Sequence, residues 1–67
     1  MKLTLSEHAL EQARERGISI AEIRKTIQMG AKHLQHPNKL VADFMHICVV
    51  YRNINNNAYV ITVMIRT

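Results

Sequence analysis

The chain has two glycines, Gly17 and Gly30, and each directly follows a run whose apolar residues recur at helical spacing. A residue without a Cβ suits a helix end, because it takes the left-handed backbone conformation that other residues avoid. The glycines therefore fix where two helices stop, and the residues upstream fix where they start. Ser6 can accept a hydrogen bond from a free backbone N–H of the first turn, with Leu5 and Leu10 placed to pack as a hydrophobic staple. Glu7 suits the positive helix end. Ala9, Leu10 and Ala13 mark one narrow apolar face. In the second helix Ser19 and Glu22 have the spacing of a capping box, with Ile18 and Ile23 at the staple positions. Its expected buried stripe is Ile20, Ile23 and Ile27, with Arg24, Lys25 and Gln28 in water. The tight connection Gly17-Ile18-Ser19 makes the pair an αα-hairpin.

From Ala31 onward the period changes to short β-rich runs. Strands are expected near 32–35, 40–45, 45–53 and 58–66, with a turn at His36-Pro37-Asn38-Lys39. The segment 53-NINNN-57 reads as a hairpin loop, since asparagine tolerates positive φ. An odd loop, Asn55 to Asn57, would set Ile47, Val49 and Tyr51 on one face with Tyr59, Ile61, Val63 and Ile65. That apolar face would pack on the helices. The other face would collect His46, Cys48, Val50 and Arg52 with Val60, Thr62, Met64 and Arg66. The reading is an α+β domain over residues 1–67, two N-terminal helices packed on an antiparallel sheet of three or four strands.

Sixty-seven residues bury only roughly 60% of the surface that the unfolded chain exposes, so the core is expected to be thin. Cys48 is the only cysteine, which leaves no internal disulfide and suggests a reducing, cytoplasmic setting. No apolar run has the length of a signal peptide core or a bilayer span. The net charge of +4 is uneven. Residues 1–22 hold three cations against four carboxylates, a balance of −1, and residues 23–67 hold six cations against Asp43, a balance of +5. A positive field of this kind attracts polyanions, nucleic acid first among them. Lys32, Lys39, His46, Arg52 and Arg66 are the candidate nucleic-acid contacts. Simple dispersal in water through net charge is the alternative.

The run His8-Ala9-Leu10, then Arg16-Gly17-Ile18-Ser19, with the tail 58-AYVITVMI-65, resembles a family of small uncharacterised bacterial domains grouped with the RelE-like toxin fold of the barnase, EndoU and colicin ribonuclease assemblage. The family's first helix reads His-Ala-apolar-x-Arg-x-x-x-Arg-Gly-Ile-Ser. This chain departs from it at Gln12, where the pattern has its first arginine. The resemblance implies a RelE-like fold and a metal-independent, toxin-type endoribonuclease with no cofactor, held inactive by an antitoxin protein. RNA would be its substrate, cleaved by attack of the 2′-hydroxyl on the adjacent phosphate.

Such a reaction needs a base, an acid, and a cation against the charge that develops on the phosphoryl group. His8 suits proton transfer, and Arg16, Arg52 and Arg66 are candidate phosphate clamps. Tyr51 and Thr62 can add hydroxyls. Each has a plainer explanation: His8 as a helix-end ring, Arg16 as a cation favoured by the helix dipole, Arg52 and Arg66 as solvated strand residues. His33, His36, His46 and Cys48 are potential metal ligands, but their spacing lacks the density of a zinc site, and no metal is expected. The competing class is a non-catalytic module of the same fold that binds a protein or a nucleic acid, and the absent arginine at position 12 favours it.

Overall fold

The computed structural model describes residues 1–35 and 37–66. Its elements are β1 (Lys2–Leu5), α1 (Glu7–Arg16), α2 (Ile20–Met29), β2 (Ala31–Gln35), β3 (Lys39–Phe44), β4 (Ile47–Ile54) and β5 (Asn57–Ile65). The strands form one sheet in the order β1-β5-β4-β3-β2. β1 lies parallel to β5, and the other pairs are antiparallel.

This corrects the expected RelE-like arrangement of two N-terminal helices on a three- or four-stranded antiparallel sheet. The sheet has five strands and is mixed, and the helices follow its first strand. Lys2-Leu3-Thr4-Leu5 is short, and its alternation gains meaning only from pairing with residues at the far end of the chain, Lys2 with Asn57 through Leu5 with Val60. Local periodicity does not contain that pairing.

The two glycines serve different ends. Gly17 has φ 67°, and the N–H of Ile18 bonds the carbonyl of Ala13 at 2.8 Å while that of Gly17 bonds Arg14 at 3.3 Å, the paired closure of a Schellman motif. Gly30 has φ −73°, so the expected left-handed stop is absent. A Cβ there would sit 2.6 Å from the carbonyl oxygen of Asp43; the requirement is close approach of α2 to β3.

Both helices lie on one side of the sheet. The core joins Ala9, Ala13, Ile18, Ile23 and Ile27 to Ala42, Ile47, Val49, Tyr51, Ala58, Val60 and Val63. Ser6 caps α1 through a bond from the N–H of Ala9, and Ser19 and Glu22 form the reciprocal capping box. The stripe of α2 is rotated from expectation. Thr26 is buried in place of Ile20, which is 45% exposed; the Thr26 hydroxyl is satisfied by donating to the Glu22 carbonyl at 2.8 Å.

The hairpin of β4 and β5 also differs from its expected form. Ile54 pairs with Asn57, so the loop is the two residues Asn55 and Asn56, both at positive φ (49° and 62°), as a type I′ turn requires. An even loop turns Ala58 and Val60 toward the helices, so Tyr59 points away from them. Ile61 is then an extra residue: Tyr51 pairs with Val60 and Val50 with Thr62. This bulge reverses the alternation and returns Val63 to the core. Between β3 and β4, the expected strand runs met at Met45 with no turn assigned between them. The chain turns at Met45 and His46, with Met45 at φ 54°, a conformation in which methionine gives no sequence signal.

α1 covers what β1 leaves open. Past Val60, β5 has no strand on its outer edge, and the Ser6 hydroxyl donates to the Ile61 carbonyl at 3.3 Å. The N–H of Val63 donates to the Gln12 Oε1 at 3.0 Å.

Candidate functional site

Among the described residues, no element covers the sheet face opposite the helices, and the register fixes what it displays. One row runs Thr4, Tyr59, Arg52; Lys39, next to the Leu40 that faces Tyr51, falls beside Arg52, and Gln35 pairs with Lys39. A second row runs Thr62, Val50, Val41, His33, and a third Met64, Cys48, Asp43, Ala31. Lys2 extends the first row, because Leu3 and Leu5 pack on the core and alternation sends Lys2 and Thr4 outward. The face carries Lys2, Lys39, Arg52 and Arg66 against Asp43 alone, four minus one, or +3.

Its centre is apolar. Val41, Cys48 and Val50 form a cluster exposed by only 7–9%, shielded by the side chains around them on the same face. At one end, Arg66 Nη1 lies 3.3 Å from Asp43 Oδ1. The neighbouring Cys48 thiol, with lesser help from Arg66 and against the effect of burial, holds the Asp43 carboxyl below its ordinary range. Burial first, and the neighbouring Asp43 carboxylate second, push the thiol up to about 11. Cys48 is thus a protonated thiol at neutral pH.

The expected site residues separate into two groups. Lys39, Arg52, Arg66 and Thr62 lie on the open face. His8 and Arg16 are exposed on α1, in the layer across the sheet. Arg16 has only Glu15 at 4.0 Å, a contact of negligible worth at the surface. The two face arginines are also apart: the N–H of Arg66 bonds the carbonyl of His46, so residues 46–52 separate them, roughly 20 Å at about 3.3 Å per residue. Lys32 is on the helical side, where its Nζ donates to the carbonyls of Gly30 at 3.2 Å and Gln28 at 3.5 Å and offsets the dipole of α2. His46 turns to the same side, beside Glu22 and Lys25 in a depression of about 150 Å³. Tyr51 belongs to the core.

Among the described residues, no three His, Cys, Asp or Glu side chains come together as a metal site; His36 lies outside those residues. Sequence reasoning left Lys2 and Asp43 out of the site and set Tyr59 on the helix-facing side. The alternation Lys-Leu-Thr-Leu was a usable signal for the first. Tyr59 was hidden by the loop parity, and Asp43 by its cross-strand neighbours.

Residues 5–65 match the domain of unknown function DUF4258, and the chain belongs to that family. No curated protein and no solved structure matches it. No helix among the described residues is long and apolar enough to cross a membrane.

Proposed function

We propose that this chain is a non-catalytic module that binds single-stranded RNA across the open face of its sheet. The observation that carries this reading is the row Thr4, Tyr59, Arg52, Lys39, Gln35, flanked by Lys2, which spans all five strands with cations, hydrogen-bonding groups and one aromatic ring but no carboxylate. Phosphates meet Lys2, Lys39 and Arg52. A base stacks on Tyr59, whose ring lies in this row. Asp43 engages Arg66 at the other end, which leaves the carboxylate-free row as the stronger anion site.

RNA cleavage is the less favoured reading. It would need His8 and a phosphate clamp on the same phosphate, whereas Arg52 and Arg66 stand on the open face across the sheet, and Arg16, on the same helix as His8, is eight residues on, roughly 12 Å along the axis at about 1.5 Å per residue. A second, independent role also exists for the residue where an arginine was expected: the Gln12 amide oxygen holds the Val63 N–H, which an arginine, having donors only, cannot do.

Fluorescence anisotropy of a labelled single-stranded RNA at several salt concentrations tests the proposal. Three phosphate contacts give a log–log salt slope of about −2, and Arg52→Ala should remove about 0.7 of it. A flat salt response, or binding unchanged by Arg52→Glu and Lys39→Glu together, refutes it. Intact RNA after incubation with the protein is the expected companion result, and cleavage lost in His8→Ala would restore the enzymatic reading.

A further inference from the structure

On the helical side, between α2 and the sheet, a groove of about 380 Å³ opens, at the lower end of the size range of ligand pockets. Leu40 and the ring of Tyr51 form its apolar wall, and Gln28, Lys32, Asn53 and Asn56 supply its polar one. Among the described residues, no carboxylate lines it. Tyr51 is only 3% exposed, yet its hydroxyl bonds no described residue. No enclosed side-chain oxygen or nitrogen among those residues lacks a partner, so this hydroxyl opens into the groove. Burial pushes the phenol upward, which keeps it a proton donor at neutral pH. Lys32 spends two of its three N–H donors on Gln28 and Gly30, and the third remains for a ligand.

We propose that this groove is a binding site for a nucleoside monophosphate, with the phosphate on Lys32 and Tyr51 and the base against Leu40, read by the side-chain amides. Each amide offers a donor beside an acceptor, the pattern of a nucleobase edge. A lone anion would leave the apolar wall and the amides unused. The site does not rest on the open-face reading, since it uses none of that face's residues.

The test is titration of the full chain with UMP, AMP and inorganic phosphate, followed by amide chemical shifts. Saturable shifts at Gln28, Asn53 and Asn56 with a nucleoside monophosphate, and weaker binding of inorganic phosphate, are expected. Lys32→Gln should weaken binding about tenfold by removing a charge-assisted bond. Asn53→Asp, at an exposed position, should do the same by repulsion without disturbing the fold. Arg52→Glu should leave UMP binding unchanged, which separates failure here from failure on the open face. Absence of saturation, equal affinity for inorganic phosphate, or shifts confined to the open face would each overturn the proposal. Competition by a 5′-phosphorylated oligonucleotide would identify the ligand as a strand end, and lack of competition as a free nucleotide; both outcomes support the site.

Discussion

Residues 47–52 of β4 alternate between two environments. Ile47, Val49 and Tyr51 face the helices, and Val49 is completely buried. Cys48, Val50 and Arg52 face the uncovered side, where Val50 retains 9% of its exposure with nothing above it. Burial on the first side comes from a second layer of structure, whereas on the other it comes from lateral neighbours alone. One face supplies cooperative stability. The other is free to carry charge and to meet a partner, because few of its contacts are needed for folding.

That difference is largest in the response to truncation. Ile23 is fully buried between α2 and the sheet, and Ile23→Ala should cost about 2–5 kcal/mol by urea denaturation. Val50→Ala should cost about 1 kcal/mol, since its neighbours can move into the space and water already reaches its edge. Equal losses would break the comparison, for they would mean that the open face is packed as tightly as the covered one.

A smaller effect sits where the covered side meets the sheet edge. Gln12→Arg installs the residue that the family resemblance leads one to expect, but removes the acceptor for the Val63 N–H. A partly buried donor left without a partner costs about 1–3 kcal/mol. Gln12→Glu keeps an acceptor and should cost less. Hydrogen exchange read at Val63 checks the mechanism: protection should fall in the arginine variant beyond the fall at other β5 amides. Uniform loss would place the damage elsewhere in α1.

Much of this was legible in the sequence, and the failures have a common cause. The capping box at Ser19 and Glu22, the Schellman end at Gly17 and the asparagine turn are local chemistry, and local chemistry reads well. Val63 was assigned to the correct face by compensating errors: a three-residue loop was expected, while an even loop and a bulge at Ile61 give the same parity beyond it. A bulge without glycine leaves no mark on the residue pattern. β1 was invisible because its partner lies at the other end of the chain. The grouping of His8 with Arg52 and Arg66 required knowledge of layers, which periodicity does not supply: it sorts residues within an element and is silent on which elements share a side.

The smallest expected effect belongs to the polar end of the open face, and it appears only with pH. In the unfolded chain the Cys48 thiol ionises near its ordinary value of 9.0, while in the folded chain it is pushed up to about 11. Between those values the unfolded state loses a proton that the folded state keeps, so stability falls as pH rises from about 9 and levels off above about 11. Asp43 acts at the other end of the scale. Its carboxyl is held below its ordinary value of 3.8, chiefly by the Cys48 thiol, so its contribution is present above that value and is lost as pH falls through the lower folded one. Cys48→Ala removes the thiol, and with it both its own titration and its effect on Asp43. Relative to the parent chain, the variant should lose less stability between pH 9 and 11, by about 1 kcal/mol, because water at this face screens the linkage. It should also lose less below pH 4. Urea midpoints of the two proteins, measured in parallel across both limbs, cancel the lysine and tyrosine titrations they share. Parallel curves would show that Cys48 senses neither burial nor Asp43, and that the open face is wetter at its centre than its side-chain packing implies.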